Sequence, residues 1–473
     1  MAKTLQAPST TGSFSRVLAL LVAGTYFMEI LDGTIIATAA AAMAGDLGVR
    51  PVDINAAMTS YLITLAVGIP ISGWLAERFG ARRVFAAAIA VFTVASILCA
   101  ASPTLTVLCL ARMLQGLGGA MMVPVGRLVV LRSTDRKQFL EAIAYLTWPA
   151  LLAPVLAPVI GGLLTTYASW HWIFLLNVPL GMVGFILALF VVPAVRSERV
   201  APPDWLGFVL CGISLAALVL GMEQVGAEPT PWAAVALLLG AAALSGVLAV
   251  LRFRHALHPL LDLSALRIHT FRTGNAGGGL YRLVINAVPF LLPLMFQLGF
   301  GWSAFEAGLM VMAVFAGNVL IKPATTPLIR RFGFRKVLIL SNAGGAAVLV
   351  LCALLTPATP LAVIAVVLFA SGVLRSIGFS AYNTVQFADV PALKMSGANT
   401  LSSTIAQVAT GLGVAVGALV LRAAQGIIEA SAPGAPAVLG YQWTFGVLAL
   451  LMLYPVVEAV LMPARAGDAV RTR

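Results

Sequence analysis

Charge is scarce in this chain. Only 10% of its 473 residues are Asp, Glu, Lys or Arg, against 60% apolar residues and a mean hydropathy of +1.00. That balance excludes an ordinary water-soluble domain and makes lipid the main solvent. Cysteine and histidine number four each. Cys99, Cys109, Cys211 and Cys352 sit inside apolar stretches, and His171, His255, His258 and His269 lie near helix ends or in a loop, so no metal centre or disulfide framework is expected. The chain lacks a phosphate-cradling loop followed by Lys and Ser or Thr, which removes ATP as an energy source. GNAGGGL at 274–280 falls within an apolar run and reads as close helix packing. No group of acids, bases and nucleophiles suggests an enzyme, and no cofactor is expected. The absence of a long polar segment argues against a receptor with a signalling domain.

The apolar residues are gathered into fourteen runs, each long enough to cross roughly 30 Å of hydrocarbon. They lie at 17–43, 52–72, 83–101, 104–131, 138–166, 171–193, 204–221, 231–250, 270–298, 303–328, 336–355, 359–388, 396–423 and 440–461. The first run is too long for a signal peptide and lacks a small-residue cleavage site, so it is expected to stay in the mature protein. An internal repeat divides the runs: LAERFGARRVF at 75–85 returns as LIRRFGFRKVL at 328–338, identical at six of eleven positions without a gap. The expected organisation is an N-terminal six-helix bundle over 17–193, two additional helices over 204–250, and a C-terminal six-helix bundle over 270–461. Internal duplication in a many-helix membrane protein points to a transporter.

The repeated loops have a physical rationale of their own. Gly73 permits close helix approach, Gly80 permits the turn, and Glu77 can accept from helix N-termini or pair with Arg78, Arg82 or Arg83. With Arg331, Gly333 and Arg335 in the second copy, these residues are expected to form a breakable latch. In the fifth run Pro154 and Pro158 remove backbone donors, while Gly161 and Gly162 admit a neighbour. A bent helix packed against the other half is expected there.

Interior charges are few enough to name. Glu29 and Asp32 stand three residues apart on one helix face, each costing about 2.5 to 3.5 kcal/mol in lipid unless it faces a cavity or a partner. Two carboxyls that close resist joint ionisation, so one can carry a proton. An ion pair with Arg112 is the alternative for Asp32. Arg127, Arg282, Lys322 and Arg375 add further positive charge, which leaves an excess that a bound anion would satisfy. Arg282 and Arg375 fall near mid-depth, whereas Arg127 and Lys322 can reach toward the surface. Asn399 and Gln407, in a run rich in small and hydroxyl residues, are further candidates for the pathway.

The surface charges orient the chain. Of 29 basic residues, 22 fall in the termini and alternate loops, while only Arg50 and Arg422 lie on the other side. Basic residues favour the cytoplasmic side, so both termini are expected in the cytoplasm and the +12 net charge is a matter of topology, not nucleic-acid binding.

With these motifs in view the chain resembles the major facilitator superfamily. GWLAERFGARRVF at 73–85 is similar to the family's loop between helices two and three, LARMLQGLGGA at 110–120 to its fourth-helix motif, and APVLAPVIGG at 153–162 to its fifth-helix antiporter motif. LDGTI at 31–35 and SWHWIFLLNVPLG at 169–181 further resemble the fourteen-helix drug:proton antiporter branch, and the whole pattern looks most like its MdtD-type transporters. Glu77 stands where the family usually carries Asp, and Ala157–Pro158 where it reads Gly-Pro. The resemblance implies an all-α integral membrane protein of the major facilitator fold, two six-helix bundles with two extra central helices. It implies a proton-coupled multidrug exporter in the inner membrane, working as a monomer on a small-molecule substrate with protons and lipid as its other partners. Asp32 then matches the family's first-helix acid and is the first choice for proton coupling, with Glu29 beside it, and Arg112 matches a residue with a part in proton transfer.

The resemblance and the charges differ over substrate. A drug exporter should offer aromatic residues and an acid to a lipophilic cation, with Tyr26, Phe27, Tyr145, Trp148 and Tyr382 as candidates. The excess of buried arginines instead favours an organic polyanion, such as a citrate-like acid or its metal chelate. A passive facilitator or importer on the same fold is the third alternative.

Overall fold

The computed structural model describes residues 15–194, 201–226 and 230–471, and it is all-helical. Its long helices are α1 Arg16–Leu47, α2 Asn55–Phe79, α3 Ala81–Ala100, α4 Leu105–Ser133, α5 Phe139–Tyr167, α6 His171–Val191, α7 Trp205–Gly226 and α8 Trp232–His255. They continue as α9 His269–Leu294, α10 Ala304–Leu320, α11 Lys322–Ala353, α12 Leu361–Ala388, α13 Met395–Ser431 and α14 Val438–Leu461. Among the described residues twelve are long and apolar enough to span a membrane, thirteen when α5 is counted across its 47° bend; α10 is shorter. The expected tenth run, 303–328, is divided: the helix breaks at Ile321, and Pro323 opens the next segment with no amide to donate. Large side chains line the outside, with Phe190 at 80% and Phe305 at 79% exposure, which suits lipid and not water.

The sequence repeat is a packing repeat. In the first set α1 packs on α5, α2 on α4, and α3 on both α4 and α6. Eight helices later α9 packs on α13, α10 on α12, and α11 on both α12 and α14. The α7–α8 hairpin packs on itself and rests α7 against α2 and α13, at the seam between the sets. Arg252 Nε closes the hairpin's base by donating to Asp204 at 3.2 Å.

The turn glycines repeat as well. Gly80 has φ 90° and ψ 132°, and Gly333 has φ 77° and ψ 161°, conformations that L side chains rarely adopt. Gly80→Ala and Gly333→Ala will each destabilise the fold by about 1 to 3 kcal/mol, seen as a lower unfolding midpoint of detergent-extracted protein. Gly426→Ala, in α13 with open space around it, will leave that midpoint unchanged or raise it.

Candidate substrate and proton site

Five helices converge on Asp32, which is 1% exposed. Its carboxylate accepts from Arg112 Nη1 of α4, from Gln115 Nε2 at 2.8 Å and from Asn177 Nδ2 of α6 at 2.8 Å. Gln115 is held in turn, accepting from Arg112 Nη1 at 2.6 Å and donating to Ser96 Oγ of α3 at 2.8 Å. The Tyr61 ring of α2 lies 4.2 Å from the Arg112 guanidinium. Both charges are thus buried and paired, a state that becomes costly once either partner is lost or neutralised.

Glu29 has a different setting, although it is one helical turn away. It is half-buried and lines a cavity of about 480 Å³ between the two helix sets. Among the described residues it makes no hydrogen bond and no ion pair within 4.0 Å. The opposite wall carries Arg282 of α9 and Arg375 of α12. Arg282 Nη2 donates to Asn383 Oδ1 at 2.9 Å, while its buried Nη1 has no partner among the described residues. Arg375 Nη1 donates to the Ile285 carbonyl at 3.2 Å. Arg127 also lines the cavity, and among the described residues no carboxylate lies within 4.0 Å of any of these three arginines.

Below the cavity, on the face that carries Gly80 and Gly333, the two sets are joined. Arg127 Nε donates to Asn399 Oδ1 at 2.6 Å and Nη2 to Ser403 Oγ at 2.6 Å, while Asn399 Nδ2 returns a bond to the Pro124 carbonyl at 2.8 Å. Arg136 donates to the Val390 carbonyl at 2.6 Å and the Ala388 carbonyl at 3.3 Å, where α12 ends. Gly73 lets α2 meet α13, since a Cβ there would collide with Thr400. The last described turn, Asp468–Arg471, touches both Arg136–Gln138 and the α11–α12 pair. The cavity is therefore closed on this face.

Several expected residues fall elsewhere. Glu77 pairs with Arg132 of α4 at 3.2 Å instead of its loop neighbours; Arg78 and Arg83 are exposed and Arg82 is half-exposed. Arg335 caps α14 by donating to the Val460 carbonyl at 2.7 Å, and Arg331 lies over Phe332. Gly161 admits Thr38 and Ile35 of α1, within its own set, and Gly162 has nothing near its Cβ position. The bent α5 does meet α10, α11 and α12 of the other set, and Pro154 lines the cavity; the Pro158 side chain is outside the described residues. Lys322 is buried against Ser380 Oγ at 2.7 Å and does not line the cavity. Gln407 lines it, whereas Asn399 belongs to the clasp beneath. Of the aromatic candidates only Tyr26 lines the cavity: Trp148 is exposed, Tyr382 is buried beside Asn342, and Phe27 lines an apolar groove between α1 and α6.

Gln115, Asn177 and Ser96 were not singled out from sequence. A signal was available, because Gln115 and Asn177 stand inside two of the motifs quoted above, and a polar amide in an apolar run needs a partner.

The profile of the Major Facilitator Superfamily matches residues 22–266 and 275–471. Relatives that carry the name multidrug resistance protein MdtD include one from Pectobacterium atrosepticum, 39% identical over 85% of this chain and 86% of its own. Another, from Citrobacter koseri, is 38% identical over 94% of each. Among solved structures the human organic anion transporter MFSD10 superposes with a TM-score of 0.65 at 14% identity, covering 96% of this chain and all of its own. The proton:xylose symporter XylE gives 0.60 at 13% identity, over 95% and 96%. At such identities the two superpositions speak for the fold alone.

Proposed function

The chain belongs to the major facilitator superfamily, and on that premise we propose that this membrane transporter is a proton-coupled exporter of small molecules in the inner membrane. The observation that carries the reading is the division of labour between two acids one turn apart: Glu29 meets the cavity, and Asp32 is sealed in a network with Arg112. A proton arriving through the cavity meets Glu29 first. Neutralising Asp32 removes the partner of a buried guanidinium, so the helices holding the pair gain a reason to rearrange.

With both termini in the cytoplasm, the closed face is the cytoplasmic one, and the clasp of Arg127 and Arg136 onto α12 and α13 is the barrier that must open to load substrate. The segments 17–193 and 270–461 are the bodies that rock, and the hairpin at 204–250 is an addition beside their seam. Gly73, Gly80 and Gly333 give the close approach and the turns of the loop latch, and Glu77 with Arg132 supplies its ion pair.

The test is flux from proteoliposomes under an imposed pH gradient. Substrate is expected to move against the proton gradient and to stop when an ionophore dissipates it. Flux indifferent to the gradient would make the protein a passive facilitator.

A second reading concerns the cargo. The relatives' name favours drugs, but Arg282, Arg375 and Arg127 face one cavity with a single acid, and Arg282 Nη1 is unpartnered. Three cations converging on a mid-membrane cavity suit an organic polyanion, a citrate-like acid or its metal chelate, better than a lipophilic cation.

A further inference from the structure

Tyr61 has no role in the reading above, yet its ring lies on Arg112 and its hydroxyl sits beside Gly119 of the cavity wall. Its hydroxyl is buried and has no hydrogen-bond partner among the described residues, which is a costly state for a polar atom in a dry interior. Gly119 lines the cavity wall directly beside it. A Cβ placed on Gly119 would lie 3.3 Å from Tyr61 Oη and 3.7 Å from Glu29 Cγ, so the phenol and the acid flank one gap that the glycine leaves open. The same ring packs on Gly33 of α1, 3.7 Å from a Cβ built there, and stacks on Arg112 at 4.2 Å.

The charged and titratable groups around this point are Tyr26, Glu29 and Asp32 of α1, Arg112 and Arg127 of α4, and Cys99 of α3. Arg282 and Arg375 face it from across the cavity.

We infer that Tyr61 is the positioning residue that links the two acids, its hydroxyl donating to Glu29 when that carboxyl is ionised and releasing it when Glu29 is protonated. The inference rests on the proton-coupled reading. No covalent bond changes: the phenol keeps its proton throughout, and the proton that is bound and released belongs to Glu29. Forming or losing the hydrogen bond tilts the ring, and the ring carries the stacking contact with Arg112. The sealed Asp32–Arg112 pair thereby registers a proton in the cavity without contacting it. Gly119 is part of the device, because any side chain there would occupy the gap.

The test needs no substrate. Spin labels at Arg83 and Leu393, both exposed on the closed face and on opposite helix sets, report the distance between the sets as pH is varied in reconstituted protein. Wild type is expected to change distance with pH, and Glu29→Gln to lose that change. Tyr61→Phe keeps the ring and its packing but removes a donor that favours the carboxylate. The transition is expected to move to higher pH by about one to two units, the size of one hydrogen bond to a charged group. Gly119→Ala should move it the same way while leaving both partners in place. A Tyr61→Phe transition coincident with wild type overturns the inference and leaves proton coupling standing. A wild-type distance insensitive to pH overturns both.

Discussion

Asp32→Asn will abolish pH-gradient-driven transport and destabilise the protein by about 3 to 5 kcal/mol, because it leaves the Arg112 guanidinium buried without a counter-charge. Asparagine fills nearly the same volume and can still reach Gln115 and Asn177, so the loss reports charge and not packing. The double variant Asp32→Asn with Arg112→Gln buries no unpaired charge. Most of the lost stability is expected to return, read as the unfolding midpoint in detergent, while gradient-driven flux stays absent. If the double variant transported like wild type, the network would be structural and proton coupling would have to lie with Glu29 alone.

Arg282→Ala will reduce flux of a citrate-like polyanion on the order of 10- to 100-fold, the loss expected when one charge-assisted contact is removed. The counterpart is Lys322→Met, which deletes an equally buried cation of the same helix set that does not line the cavity. That change should leave substrate affinity as it was. Proteoliposomes loaded with citrate or with a lipophilic cation give the measurement. Cation flux indifferent to Arg282→Ala, with no citrate flux in wild type, would make the arginine structural and return the cargo to the multidrug class.

The sequence was most legible where lipid imposes a rule. Helices must satisfy their own backbone in hydrocarbon, so most of the apolar runs read directly as spans, the divided tenth apart, and α13 and α14 begin within two residues of their expected starts. The first motif's Gly80 was read as a turn, and its copy Gly333 turns in the same way, because both hold a backbone shape that other residues resist. Partner choice was not legible. Glu77 had three arginines nearby in sequence and pairs with Arg132, 55 residues away, since α4 ends beside the loop.

Depth in the membrane could be counted from sequence, and it brought Glu29, Arg282 and Arg375 to notice as buried charges needing a reason. Direction could not be counted. Glu29 and Asp32 are three residues apart on α1, yet one opens to a cavity and the other is enclosed by α3, α4 and α6. Lys322 and Arg282 are both buried cations of the second helix set, and only Arg282 reaches the cavity.

Composition, the length of the apolar runs and the repeated motif by themselves determined that this chain is a duplicated bundle of membrane helices with few and costly interior charges, because hydrocarbon penalises every unpaired polar group. Which of those charges are paired, which face the cavity and which clasp the two halves was decided only in the tertiary structure. A charge's energy depends on the groups within a few ångströms, and here those groups come from helix positions 58 to 276 residues apart in the chain.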